Sequence, residues 1–163
     1  MGASKKENHA SSWMIAGFMT LVIIAAVAVI APQLTPRVAV RIGDGVYNAR
    51  LAETPAQLER GLSGTKHLGS NEGMLFVFDH DAKWSIWMKD MNFPIDIIWM
   101  DQDKKVVHIV KNASPDNYPQ ERFTPKSDAR YVLEVPAGSV DARSININGT
   151  AHFDLNQIKG LRL

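Results

Sequence analysis

The sequence predicts a mainly β domain, an antiparallel β-sandwich or partly open barrel with one or two short helices, preceded by an N-terminal transmembrane helix. Three observations carry this. Residues 72–101, EGMLFVFDHDAKWSIWMKDMNFPIDIIWMD, compress three short apolar runs separated by polar turns, which is how strands of a two-layer β domain read. Helix-forming stretches after residue 37 are brief, because Gly and Pro interrupt them. Residues 13–31, WMIAGFMTLVIIAAVAVIA, carry no charge and end at Pro32.

The apolar run comes first in the chain. A helix of its length spans about 28 Å, close to a bilayer's hydrocarbon core. Thr20 alone interrupts it, whereas a helix buried in a soluble core keeps a polar stripe. Trp13 stands at its edge, where interfacial aromatics collect. Ala26-Val27-Ala28 is a small-residue cleavage pattern, but it lies inside a run longer than a usual signal core, so an uncleaved anchor is the reading. Lys5 and Lys6 precede the run, which favours a cytoplasmic tail over residues 1–12 and an extracytoplasmic domain. Residues 32–37 form the linker and residues 38–163 a single domain.

Residues 37–42 alternate polar and apolar, Gly43-Asp44-Gly45 turns the chain, and residues 46–51 follow, giving a β-hairpin. Thr54, Pro55 and Gln57 spell a capping box with proline at the first helical position, and Gly61 and Gly64 end that helix early. Further strands are expected over residues 74–78, 83–89, 95–100, 106–111 and 130–135, with Asp101-Gln102-Asp103-Lys104 as a hairpin turn. Asp79-His80-Asp81 reads as a solvated turn. Residues 112–128 form a long polar loop with Pro115, Pro119 and Pro125; loops of that length are often functional or mobile. Residues 137–144 supply a turn or two of helix, and residues 150–155 a last strand.

Composition excludes several functions. With no cysteine, the chain has no disulfide framework, thiol nucleophile or thiolate metal site. Setting aside Lys5, Lys6 and Glu7 leaves 16 basic and 16 acidic residues, so the domain is neutral and lacks the basic excess of a nucleic-acid binder. No phosphate-cradling glycine loop and no Gly-x-Ser-x-Gly elbow is present. Met74, Met88, Met91 and Met100, with His67, His80 and His108, invite a soft-metal site. None falls in ligand spacing, and methionine in strands is ordinarily core, so no metal and no cofactor is assigned.

One residue stands out. Asp96 lies inside the apolar run Pro94, Ile95, Ile97, Ile98, Trp99, and an unpaired carboxylate there costs more than a domain can spare. Its expected partners are Lys89, Arg60 or turn N–H groups. Strand alternation puts Asp96, Ile98 and Met100 on one face and Ile95, Ile97 and Trp99 on the other, while Trp84, Ile86 and Met88 oppose Ser85, Trp87 and Lys89. Glu134 is the second carboxylate in an apolar strand. Were the two to meet, each would shift the other's pKa and permit acid–base chemistry; a structural ion pair or turn cap is the preferred alternative for Asp96.

These residues also carry a family resemblance. Arg60-Gly61-Leu62, Glu72-Gly73-Met74-Leu75-Phe76 with Phe78, and Trp87-Met88-Lys89 stand in its order and spacing. So do Pro94-Ile95-Asp96-Ile97-Ile98, Asp101, Tyr131-Val132-Leu133-Glu134 and Ala137-Gly138. In this pattern the chain resembles domain-of-unknown-function family 192 from about Val38 to Leu155. The resemblance implies a compact mainly β domain, often behind a signal or anchor, and implies no activity. It marks Arg60, Trp87, Lys89, Asp96 and Glu134 as a candidate pocket. Asp90 departs from it, since the family usually has Asn there. The expected function is a membrane-anchored extracytoplasmic module that binds an envelope ligand or protein. The alternative is an envelope-acting enzyme using Asp96 and Glu134.

Overall fold

The computed structural model describes residues 35–156. The expected membrane helix, residues 13–31, lies outside the described residues, as do the tail before it and the first half of the linker. Among the described residues no helix is long and apolar enough to cross a membrane.

One six-stranded mixed sheet organises the domain, with its strands in the spatial order β1 (Arg37–Ile42), β2 (Gly45–Ala52), β3 (Glu72–Ala82), β6 (Ala129–Pro136), β4 (Ile95–Met100) and β5 (Val106–Ala113). The hairpin β1 (Arg37–Ile42) and β2 (Gly45–Ala52) forms where alternation placed it. Its turn closes on glycine for a steric reason: Gly43 has φ +53°, and a Cβ there would stand 2.1 Å from the Arg143 carbonyl oxygen. Helix α1 (Pro55–Arg60) starts on the expected capping box, with Gln57 N donating to Thr54 Oγ1 at 3.4 Å and Thr54 N to Gln57 Oε1 at 3.0 Å. Gly61, at φ +49°, ends it.

Strand β3 (Glu72–Ala82) runs parallel to β2 and antiparallel to β6 (Ala129–Pro136). This parallel pair departs from the antiparallel expectation. The crossover through α1 makes it possible, because parallel neighbours need a long connection. Asp79-His80-Asp81 continues β3 as an exposed strand end rather than a turn, and Asp81 accepts a 2.6 Å bond from Arg130 Nε of β6. Strand β4 (Ile95–Met100) lies between β6 and β5 (Val106–Ala113) and is buried on both faces. The β4–β5 turn is held by Asp101 Oδ1, which accepts from the backbone N–H of Asp103 and Lys105, both at 2.9 Å.

Two expected strands do not form ladders. Residues 83–89 make only the bridge Ile86↔Phe123. Both edges of β3 are already occupied by β2 and β6, so the following chain covers the sheet instead of joining it. Its alternation survives: Ile86 and Met88 are buried while Ser85 is exposed. Residues 148–152 hydrogen-bond to Arg41 of β1 and to Lys104 and Val106 at the start of β5, but no ladder joins these two edge strands and the sheet stays open. Neither a sandwich nor a closed barrel results.

The sheet is covered on both faces, and this splits the core in two. On the first face Val40, Tyr47, Leu75, Ile98, Met100 and Leu133 pack under residues 139–153, which include helix α2 (Ser139–Ala142). On the second face Phe76, Ile97, Trp99 and Val132 pack under α1 and residues 84–93, with Phe123 of the long loop. Met74 and Met88 belong to the second cluster and Met100 to the first, so these thioethers serve packing.

Candidate functional site

Asp96 is fully buried, and its oxygens accept from the backbone N–H groups of Asn112 at 2.9 Å and Val140 at 2.8 Å. The first amide belongs to β5, at a left-handed residue with φ +53°. The second opens α2, whose Gly138 N-cap supplies no side-chain acceptor. Asp96 therefore performs a capping role from a distant strand, satisfying a helix-start donor that would otherwise be orphaned. Backbone amides hold it, from a strand and a helix start rather than from the expected turns. Lys89 and Arg60 do not.

Register explains why it meets no other carboxylate. Asp96 stands opposite Val135, and Glu134 opposite Ile97; directly opposed residues share a face and successive residues alternate. Val135 packs in the first cluster and Ile97 in the second. Asp96 and Glu134 thus project from opposite faces, and the expected acid–base pair is not formed.

Glu134 has the more consequential position. It lies on β6 between Met74 of β3 and Ile97 of β4, is 4% exposed, and its Oε2 is buried without a hydrogen-bond partner. Burial pushes its pKa up to about 8, against the opposing pull of the Arg50 guanidinium. At neutral pH this side chain is therefore chiefly the uncharged acid, able to donate as well as accept.

Above Glu134 opens a cleft of about 260 Å³. Helix α1 and the chain after it contribute Leu58, Glu59, Arg60, Leu62 and Ser63, residues 85–91 contribute Ile86, Trp87 and Met91, and Phe76 of β3 lies beside the floor. The long proline-containing loop supplies Arg122 to the wall, with its guanidinium 4.5 Å from the Trp87 ring centroid, a cation–π contact. Lys89 lies in an adjoining groove that shares Glu59, Arg60 and Ser63, and its Nζ stands 5.8 Å from the same ring. Ser63 Oγ donates to the Lys89 carbonyl at 2.7 Å, tying the two walls together.

Of the five candidate residues, Arg60, Trp87 and Glu134 line one cleft, Lys89 borders it, and Asp96 belongs to the other side of the sheet. Two cations escaped the sequence reading. Arg122 sat in a loop with no local signal. Arg50 occupies the polar phase of the first hairpin, but β3 pairs it with Met74, itself paired with Glu134, so all three face the same way. Half-buried there, Arg50 donates to Thr65 Oγ1 at 3.3 Å, and burial lowers its pKa.

Several recurring residues of the resemblance have backbone reasons. A Cβ on Gly73 would stand 2.7 Å from the Glu134 carbonyl oxygen, and one on Gly61 would stand 3.1 Å from Phe76 Cζ. Asp90 has φ +53°, a left-handed conformation that asparagine and aspartate tolerate better than other non-glycine residues. The Asn-to-Asp difference thus keeps the backbone and adds a charge to the side groove.

The chain is similar to several known proteins. A UPF0127 protein of Thermococcus gammatolerans is 30% identical over 69% of this chain and 70% of its own length. Another, from Thermococcus sibiricus, is 27% identical over 66% of this chain and 67% of its own. A crystal structure of a protein of unknown function from Novosphingobium aromaticivorans superposes with a TM-score of 0.65 at 28% identity, covering 71% of this chain and 83% of that one. A second, from Sinorhizobium meliloti and named as a candidate transcription regulator, gives a TM-score of 0.65 at 27% identity over 72% of this chain and 92% of that one. Residues 38–153 match the profile of DUF192, described as Uncharacterized ACR, and this chain belongs to that family.

Proposed function

We propose that the domain is a ligand-binding module held at the extracytoplasmic face of a membrane by residues 13–31. The observation that carries the binding part is the cleft floored by Glu134. A buried acid whose Oε2 lacks a protein partner sits beneath apolar walls, a tryptophan and two arginines. Such a setting, a concave space with apolar and convergent polar groups in about equal share and a perturbed pKa, has the features of a small-molecule site. The anchor part rests on the length and apolarity of residues 13–31 alone.

A fragment screen on the full chain in non-ionic detergent, read by NMR, tests the binding part. Shifts concentrated at the Trp87 indole, Gly61 and Ser63 support it; hits scattered over the β1 edge, or no hits, overturn it. DNA recognition, suggested only by the Sinorhizobium protein's name, draws no support here. The described helices have six and four residues and the domain is neutral, where groove readers present a longer helix and a basic face.

The raised pKa of Glu134 favours a second reading, an enzyme acting on envelope material with Glu134 alone as general acid. A carboxylic acid still protonated at neutral pH has the profile of such a group. Turnover in a hydrolase or transferase panel that Glu134→Gln abolishes, at unchanged fold, would select it over simple binding.

A further inference from the structure

We infer that the cleft takes the anionic end of a small organic acid, whose oxyanion accepts a hydrogen bond from the Glu134 carboxyl group at the floor, with the guanidinium-bearing Arg60 and Arg122 lining the same cleft. This rests on the ligand-binding reading above and narrows it to one ligand chemistry.

The charges around the floor carry the argument. Glu59 and Arg60 from α1 and Arg122 from the long loop line the cleft with Glu134, Arg50 of β2 acts on Glu134 from within the sheet, and the neighbours on β3 and β4 are the apolar Met74, Phe76 and Ile97. With Glu134 neutral, the cleft lining holds two cations, Arg60 and Arg122, against one carboxylate, Glu59, and Arg50 adds a third cation behind the floor. A cationic ligand would enter against that field, and a neutral one would leave it unused. A ligand carboxylate that receives the Glu134 O–H at the cleft-lining side of the carboxyl group gains a short charge-assisted bond. The proton stays between the two oxygens and no covalent bond changes.

Size and walls define the rest of the ligand. A space of about 260 Å³ lies at the small end of ligand pockets, which run to roughly 300–1,000 Å³. Phe76, Leu62, Ile86 and Met91 offer apolar surface to a ring or short branched body. The predicted ligand is therefore a compact acid with an apolar body.

Protonation gives the signature. Burial holds Glu134 protonated up to about pH 8, so the anion meets a donor below that pH and a repelling carboxylate above it. If only the protonated protein binds, affinity falls toward about tenfold per pH unit above that point.

The test uses the full chain in non-ionic detergent micelles, with calorimetry and NMR, and three probes of one shape: benzoate, benzylammonium and benzyl alcohol. Benzoate is expected to shift the Trp87 indole and Gly61 signals and to bind at least about tenfold more tightly than benzylammonium. Its affinity is expected to fall between about pH 8 and pH 9. Glu134→Gln keeps an amide donor but cannot ionise, so it should bind benzoate with no such pH dependence. Arg122→Ala alters an exposed side chain and should weaken benzoate severalfold at unchanged melting temperature. Equal or tighter benzylammonium binding, a flat benzoate profile in the parent, or a slope that survives in Glu134→Gln each overturn the anion assignment. If benzyl alcohol alone moves the cleft signals, the ligand-binding reading stands and the anion falls. If none of the three does, both fall.

Discussion

Removing the Asp96 carboxylate should loosen the domain at two places at once. In Asp96→Ala the N–H groups of Asn112 and Val140 lose their acceptor, and with residue 96 fully buried no water is at hand to replace it. Hydrogen bonds to a charged group contribute about 1.5–3 kcal/mol each, so two of them set an expected loss of about 3–6 kcal/mol. For a domain of this size that lowers the melting temperature by about 10–20 °C. Asp96→Asn retains one acceptor oxygen but turns an amide N–H₂ toward the other donor, and should fall between Ala and the parent. Urea titration of the full chain, followed by tryptophan fluorescence and paired with thermal melts, reads the difference. Protection of the Val140 amide from hydrogen exchange should collapse before global unfolding, since α2 loses its cap. An Asp96→Ala variant that melts at or above the parent temperature would refute the structural role and make Asp96 a functional residue held at a cost to stability.

Glu134 should make the stability of the domain depend on pH. Its folded pKa, about 8, stands above the unfolded carboxylate value of 4.5. The stability tied to the neutral acid is therefore complete below the unfolded value, declines as pH rises through the window, and is gone above the folded one. The full difference amounts to about 5 kcal/mol, so Glu134→Gln should gain on the parent steadily from about pH 5 to about pH 8 in paired melting curves; parallel curves would contradict it. Gly73→Ala should destabilise by at least about 2 kcal/mol, because its Cβ meets the Glu134 carbonyl at 2.7 Å in the β3–β6 ladder; a denaturant midpoint equal to the parent's would show that the strands can separate freely. The full chain should stay with membranes through alkaline carbonate washing, and a soluble mature form starting near Val29 would show that residues 13–31 are cleaved.

Local rules determined much of this protein. The capping box at Thr54 and Gln57, the hairpin over β1 and β2 and the Asp101 turn depend on residues within a few positions of one another, so their bonds are implied by spacing. The burial of Asp96 was equally legible, because a carboxylate between Ile95 and Ile97 on a central strand has no route to water. What held it was not. Val140 lies 44 positions away, and only the sheet order brings α2 over β4. The same order put residues 83–89 outside the sheet, because β2 and β6 had already taken both edges of β3. Alternation correctly placed Asp96 and Ile97 on different faces, and Glu134 on one face of its own strand. It could not relate the two strands, since a shift of one residue in their register would have brought the carboxylates to the same side. That register, and with it the separation of a structural carboxylate from the acid flooring a cleft, was decided by tertiary packing: two cores, one on each face, admit only the pairing that buries both.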